Sequence, residues 1–211
     1  MVYSVKEIYY TLQGEGNHTG RPAVFCRFTG CNLWTGHEKD RADAVCRFCD
    51  TDFVGTNGVS GGKFSNPETL AKKVFKKWPS TNKGKPYLVC TGGEPLLQLD
   101  EALIREFKDC GFTIAVETNG SLPAPKGLDW VCVSPKANFP LKIKSGDELK
   151  LIYPQEGVNP HFFETLDFSH FYLQPMDNSD LVKNTKKTIN YCLKNPIWRL
   201  SIQTHKIVNI D

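Results

Sequence analysis

From about residue 87 to the end of the chain, short apolar runs alternate with longer amphipathic stretches. Tyr87-Leu88-Val89-Cys90 is continuously apolar and reads as a strand buried on both faces. A helix follows: Asp100 suits the N-cap, Leu103, Ile104 and Phe107 recur at helical spacing, and Gly111 fits the position just past the C-terminus. Strand character resumes at Thr113 to Glu117 and recurs at Trp130 to Val133, Glu148 to Ile152, Phe171 to Leu173 and Arg199 to Ile202. A helix is predicted over roughly Asp180 to Asn195, with Leu181, Thr185, Ile189 and Cys192 on its buried side. Upstream, Ala23 to Phe28 reads as a strand, and Asn66-Pro67-Glu68 opens a helix that runs to about Trp78 with lysines toward its end. Such alternation implies a parallel sheet. The predicted class is α/β, a partial, incomplete parallel β/α barrel, since the full eight-unit form usually needs about 250 residues. Its chemistry belongs at the C-terminal ends of the strands.

Two stretches break the alternation: the loop Asn32 to Val45, and Gly55-Thr56-Asn57-Gly58-Val59-Ser60-Gly61-Gly62. In the second, Gly62-Lys63 is followed by Phe64, so the hydroxyl that would hold magnesium in a phosphate-binding loop is missing, and a nucleotide triphosphatase is excluded. Neither stretch has the length of a linker, and no internal repeat appears. Residues 1–211 are therefore read as one domain.

Composition narrows the setting. With 40% hydrophobic and 23% charged residues the chain reads as a soluble globule. No apolar run approaches membrane length, and Met1 to Glu7 lacks the basic and apolar segments of a secretory signal, so a cytoplasmic protein is expected. In that reducing setting eight cysteines point to metal binding or catalysis rather than disulfides. A net charge of +3 is too mild for a nucleic-acid footprint, which leaves a small molecule as the expected partner, with no membrane and no nucleic acid.

The cysteines divide into two groups. Cys90, Cys110, Cys132 and Cys192 sit inside apolar patterns, where a free cysteine behaves as a small hydrophobe. Cys31, Cys46 and Cys49 stand apart, with fourteen residues between the first two and two between the last two. Structural zinc is normally closed by four protein ligands, whereas three thiolates on a cubane iron–sulfur cluster leave one iron open to bind something else. Cys26 could complete a zinc site, although its place within Val24-Phe25-Cys26-Arg27-Phe28 favours the core.

The strand ends are polar five times in succession: Thr91-Gly92-Gly93-Glu94-Pro95, Glu117-Thr118-Asn119-Gly120, Ser134-Pro135-Lys136, Gln174-Pro175-Met176-Asp177 and Gln203-Thr204-His205-Lys206. Any one could be a turn. Their recurrence indicates a shared rim, and Gly92-Gly93 would let backbone approach a ligand closely.

Cys46-Arg47-Phe48-Cys49 followed by Gly92-Gly93-Glu94-Pro95 resembles the radical S-adenosylmethionine superfamily, although the first two cysteines there are usually separated by three residues. Thr11-Leu12-Gln13-Gly14-Glu15-Gly16, Cys49-Asp50-Thr51, Ser134-Pro135-Lys136 and Gln174-Pro175-Met176-Asp177 extend the likeness over nearly the whole chain to the 7-carboxy-7-deazaguanine synthases, among which long cysteine loops are known. That resemblance implies a barrel of the radical S-adenosylmethionine type. It further implies contraction of 6-carboxy-5,6,7,8-tetrahydropterin to 7-carboxy-7-deazaguanine with loss of ammonia, on the way to deazapurines such as queuosine.

By the same resemblance a 4Fe-4S cluster sits on Cys31, Cys46 and Cys49, in a loop of about 31–49, with its open iron chelated by S-adenosylmethionine. Phe48, Gly93, Ser134, Pro135, Lys136, Gln174, Pro175, Met176 and Asp177 are implied contacts of that cofactor. Leu12, Gln13, Gly14, Glu15, Arg27, Thr91, His205 and Asp211 are implied contacts of the pterin, and Glu117 serves either the substrate or the cofactor ribose. Thr51 takes the family's magnesium position, with Asp50 and Asp52 as rival ligands. The side-chain types suit the ligand: amides and carboxylates match the donors and acceptor of a pterin edge, and Arg27 can fork onto the substrate carboxylate. A flavodoxin or ferredoxin as electron donor and a homodimer are also implied. Two other readings stand beside this one, a radical activase acting on a protein partner, which should lack the set Gln13, Glu15 and His205, and a non-enzymatic zinc-binding module.

Overall fold

A computed structural model describes residues 2–210. One nine-stranded sheet is built from β1 (Tyr3–Leu12), β2 (Pro22–Phe28), β3 (Gly62–Phe64), β4 (Tyr87–Gly92), β5 (Thr113–Thr118), β6 (Trp130–Val133), β7 (Ser145–Tyr153), β8 (Asp167–Pro175) and β9 (Trp198–Leu200). Its order is β3-β1-β2-β4-β5-β6-β7-β8-β9, so the ends stay unjoined and the barrel is partial. From β2 to β9 every neighbouring pair is parallel, whereas β1 runs antiparallel to both β2 and β3.

The helices are α1 (Pro67–Phe75), α2 (Glu101–Asp109), α3 (Leu181–Lys194) and the short α4 (Thr204–Val208). Capping explains where the first two begin. The Asn66 side chain accepts from the Thr69 N–H with Pro67 in the first turn, and Asp100 accepts from the Leu103 N–H. Gly111, at φ +86°, stops α2 as the sequence implies.

Strand and helix alternate less regularly than expected. No α-helix lies between β5 and β6, β6 and β7, or β7 and β8 among the described residues, and these connections carry Pro123, Pro125 and Gly127, then Pro135 and Pro140, then Pro154 and Pro160. Rings without an N–H and with fixed φ break helical ladders there.

Period-two alternation divides the sheet's faces. On the outer face Val24, Cys26, Leu88, Cys90, Ile114 and Val116 pack against Leu70 and Val74 of α1 and Leu103 and Phe107 of α2. A second apolar cluster gathers Leu149, Leu151, Phe171, Leu173 and Trp198 with Tyr191 and Cys192 of α3. The inner face keeps only a small apolar group, Ala23, Tyr87, Val89 and Ala115. Phe25 and Trp130 pack beside that group, and the polar Arg27, Glu117 and Lys150 stand on the same face at the cavity.

Helix α3 corrects the predicted face. Leu181 and Ile189 are exposed and Thr185 is half-buried, while Asn184 and Thr188 are buried and Cys192 lies partly in the core. Polar residues face inward because strand-end carbonyls need donors: the Asn184 side chain donates to the Met176 carbonyl at 3.0 Å, and Thr188 Oγ1 sits 3.5 Å from the Tyr153 carbonyl. Val182 and Leu193 are left 73% and 79% exposed, a solvent-facing apolar stretch beside edge strand β9.

Candidate active site

The loop between β1 and β2 turns inward and lies across the inner face of the sheet. The His18 ring packs on Trp130 with centroids 4.3 Å apart and on Tyr87 at 5.3 Å, while the Arg21 guanidinium lies 3.6 Å over Tyr87. The Gly16 N–H donates to Ser201 Oγ at 3.0 Å and the Asn17 N–H to Glu148 Oε2 at 3.1 Å. Two glycines make the fit possible. A Cβ on Gly14 would stand 2.2 Å from His205 Nδ1, and Gly16, at φ +64°, would drive one into the Glu148 carboxylate.

Above this floor is a cavity of about 450 Å³ lined by residues from every strand-end segment named in the sequence. Arg27 of β2 faces it with a side chain 17% exposed, held by Glu7 Oε1 at 2.8 Å and the Tyr9 hydroxyl at 2.9 Å, both on β1. Burial pulls the Arg27 guanidinium toward lower pKa, and Tyr9 and Glu7 outweigh it, so the charge is secured. Arg27 is thus a half-buried, partnered cation rather than a solvated strand residue.

Lys150, on β7, is the most buried charge at the cavity, 5% exposed. Its ammonium lies 2.7 Å from Glu15 Oε2 and 2.9 Å from Glu117 Oε2. The other carboxylate oxygens take Gln203 Nε2 at 3.1 Å on Glu15 and Gln13 Nε2 at 3.2 Å on Glu117. Burial raises the Glu15 carboxyl, but Lys150 and Gln203 more than offset it and leave it below its usual value. Glu148, two residues before Lys150 on the same face, is pushed up to about 7 chiefly by burial, with Glu117 adding to the rise against Lys150. Its Oε1 has no hydrogen-bond partner among the described residues.

The cysteine loop forms the opposite wall. Between Cys31 and Cys46 the chain makes a 3-10 turn, Glu38–Asp43, and the Val45 and Cys46 N–H groups donate to the Leu33 carbonyl. Arg41 then ties the loop shut: it donates to the Arg47 carbonyl at 2.9 Å and the Cys49 carbonyl at 3.1 Å, while its guanidinium lies 4.0 Å over the Trp34 ring. The fourteen intervening residues thus fold back and return the chain to the same cavity. Cys31, Cys46 and Cys49 all line the cavity. Burial raises the Cys31 and Cys46 thiols; three cysteine sulfurs on one cavity wall are nonetheless the donor type an iron–sulfur cluster takes. Cys26 lies in the apolar core under α1 and α2, away from this wall. Among the described residues, no three His, Cys, Asp or Glu are gathered about a single ion position.

The Gly92-Gly93-Glu94-Pro95 segment serves the site through packing. A Cβ on Gly93 would lie 1.9 Å from the Gly30 carbonyl oxygen, and the Glu94 N–H donates to that same oxygen at 2.8 Å. Glu94 is fully buried and accepts from the Leu96 N–H, the Thr118 hydroxyl and the Asn119 N–H. It clamps the end of β5 to the cysteine wall.

Leu12, Gln13, Gly14, Glu15, Arg27, Thr91, Glu117 and His205 all line the cavity, as do Phe48, Gly93, Ser134, Lys136, Gln174, Pro175, Met176, Asp177 and Thr51. Pro135 does not: it is buried between Ser134 and Lys136 and shapes the turn. Asp211 lies outside the described residues. His205 stands in the first turn of α4 rather than on a strand end, and burial lowers its imidazole pKa. The rival magnesium ligands are engaged, Asp50 by Lys206 at 2.6 Å and Gln203 at 3.1 Å, and Asp52 by Lys6 at 2.8 Å. Thr51 Oγ1 has only a 3.5 Å approach to Asp50.

Sequence reasoning passed over Lys150, Gln203 as a ligand of Glu15, Lys206 and the Arg27 partners Glu7 and Tyr9. A signal for Lys150 did exist. Glu148-Leu149-Lys150-Leu151-Ile152 places charges two apart in a central strand, which puts both on one face with no solvent to receive them.

No family model matches the chain. Over their full lengths it is 58% identical to the 7-carboxy-7-deazaguanine synthase of Caulobacter vibrioides and 55% identical to that of Burkholderia multivorans. Its fold superposes on the crystal structure of QueE from Escherichia coli with a TM-score of 0.69 at 28% identity, covering 97% of this chain and 95% of that one.

Proposed function

The chain belongs to the 7-carboxy-7-deazaguanine synthase family, and on that footing we propose how its cavity divides between cofactor and substrate. The enzyme contracts the ring of 6-carboxy-5,6,7,8-tetrahydropterin to 7-carboxy-7-deazaguanine with loss of ammonia, in queuosine-type biosynthesis. Membership sets aside the protein-activase and zinc-module readings. When bound, the 4Fe-4S cluster and S-adenosylmethionine supply the radical that abstracts hydrogen from the substrate.

In this reading Cys31, Cys46 and Cys49 hold the cluster, and Phe48, Gly93, Ser134, Lys136, Gln174, Met176 and Asp177 hold S-adenosylmethionine. Lys136, whose ammonium bonds the Ser134 carbonyl at 2.6 Å and its hydroxyl at 2.8 Å, stiffens the loop after β6. Gln13, Glu15, Glu117 and His205 read the pterin edge, Thr91 packs beside it, and Arg27 takes its carboxylate. The observation that carries this division is that three thiols and the Arg27, Glu15 and Glu117 set line one cavity.

Thr51 holds magnesium together with the substrate carboxylate, because one protein oxygen suffices for an ion that keeps its waters and takes ligands from substrate. The working unit is a homodimer, for which the exposed Val182, Leu193, Ile197 and Leu200 around α3 and β9 offer an apolar surface. A flavodoxin or ferredoxin supplies electrons. No helix among the described residues is long and apolar enough to cross a membrane.

The test is anaerobic. Purified protein should carry iron and acid-labile sulfide, convert the pterin with S-adenosylmethionine and a reductant, and return deuterium from substrate C6 to recovered S-adenosylmethionine. Absence of that label after many turnovers refutes the radical assignment.

A further inference from the structure

Two carboxylates that contact one ammonium are necessarily close neighbours, and like charges at such range cannot both stay ionised in a buried site without a cation between them. Glu15 and Glu117 are in that position. They come from distant parts of the chain, the floor loop and β5, and both carboxylates meet Lys150 Nζ, at 2.7 and 2.9 Å. On each carboxylate one oxygen meets Lys150 and the other a glutamine amide, and a carboxylate offers about four lone-pair sites, so room is left for another donor. All three residues line the cavity.

Resting on the reading of this cavity as the pterin site, the geometry points to Lys150 as a positioning residue that keeps Glu15 and Glu117 as a carboxylate pair, so that both accept from the N–H groups of the substrate's aminopyrimidinone edge. Lys150 does not itself take part in the chemistry. Flanked by two carboxylates at the cavity wall, it supplies charge and placement. A structural salt bridge would leave the two carboxylates serving the fold. Here they stand on the face that bears few apolar groups, and their bond to Lys150 ties the floor loop to β5 through the ligand site. The surrounding charges agree: burial would lower the Lys150 ammonium, but the carboxylates Glu117 and Glu15 and the nearby Glu148 hold it well above its ordinary value.

The carboxylates should select for a donor-bearing ring edge. A pterin lacking the 2-amino group leaves a buried acceptor unpaired, and sites built to hydrogen-bond a substrate reject such analogues heavily. Removing the lysine charge should let one carboxyl take up a proton, which pterin binding must then expel.

The experiment uses reconstituted holoenzyme with S-adenosylmethionine, under anaerobic conditions, in wild-type, K150M and K150Q forms. Wild type should bind 6-carboxytetrahydropterin about 100-fold or more tightly than its 2-deamino analogue. Equal binding of the two overturns the proposal whatever the variants do. In K150M the pterin KM at pH 7 should rise about 100-fold with kcat at saturation changed less than about threefold, and discrimination against the analogue should fall at least about tenfold. K150Q should behave alike, because glutamine keeps a donor and loses the charge. Calorimetric titrations in buffers of different ionisation enthalpy should show about one more proton released on binding to either variant than to wild type. Unchanged KM and discrimination, or a parallel loss of kcat and cluster content without proton release, overturns it. Failure of wild type to turn over the pterin would instead strike the reading of the site itself.

Discussion

The two walls of the cavity are built on opposite terms. On the strand side every charge is partnered before a ligand arrives: Arg27 rests on Glu7 and Tyr9, and Glu15 and Glu117 rest on Lys150 and two glutamine amides. The loop side holds thiols that burial keeps protonated, in a segment tied by one arginine. The contrast separates preorganisation from conditional assembly. On the proposed division of the cavity, substrate recognition would be written into the strand side, whereas the cofactor wall would be completed by what binds to it.

The sharpest break in that contrast comes from the thiols. Cys31→Ala, Cys46→Ala or Cys49→Ala should remove the cluster and abolish cleavage of S-adenosylmethionine, while Cys26→Ala, in the apolar core, should keep full iron and sulfide loading. Iron loading that survives loss of Cys46 but fails with loss of Cys26 would reverse the assignment.

The strand side should fail differently. Arg27→Ala should leave the cluster intact and cut kcat/KM for the pterin by about 2–5 kcal/mol, because it also strands the Glu7 carboxylate. Background cleavage of S-adenosylmethionine without substrate should hold near the wild-type rate. Pterin kinetics that do not change would take Arg27 out of the pocket.

Preorganisation has a cost that pH exposes. The Glu148 carboxyl titrates near 7 in the fold against an ordinary 4.5, so the folded state keeps a proton that the unfolded chain gives up between those values. Stability therefore falls as pH rises through that window. Glu148→Gln keeps an acceptor for the Asn17 N–H and removes the ionisation. Denaturant unfolding should show it near neutral at pH 5 and about 1–3 kcal/mol more stable than wild type at pH 8. Parallel stability curves across that range would count against a strained acid under the floor.

The smallest effect falls at the border of the two walls. Thr51→Ala should reduce the stimulation of turnover by magnesium severalfold while leaving iron content unchanged. Equal activity in chelator-treated and magnesium-supplemented wild type would remove the ion from the site.

How much of this was legible in the sequence follows the same division. Strands such as Tyr87–Gly92 and Trp130–Val133 announced themselves because burial on both faces demands unbroken apolar runs. Strand β1 did not, since Lys6 and Glu7 sit inside it and a register shift between Val5 and Glu7 blurs the alternation. The Leu181 and Ile189 stripe of α3 misled because apolar spacing does not tell a core from an exposed face, and the sheet side there needs donors. The cavity residues were reached through motifs. Lys150 belonged to no motif, and its role depends on Glu15 and Glu117 meeting across 135 and 33 residues of chain.

The empty space at Gly14 sets an order of construction. The loop between β1 and β2 also closes against α4: the Thr204 N–H donates to the Gly14 carbonyl at 2.9 Å, the His205 ring fills the place of a missing Cβ, and Gln203 reaches Glu15. In chain order the nine strands precede α4, so the pocket floor is completed only once α4 has been made. A translation product stopped after β9 would lack the Gln203 bond to Glu15 and the His205 ring beside Gly14, while Arg27, Glu117 and Lys150 stand on strands already made.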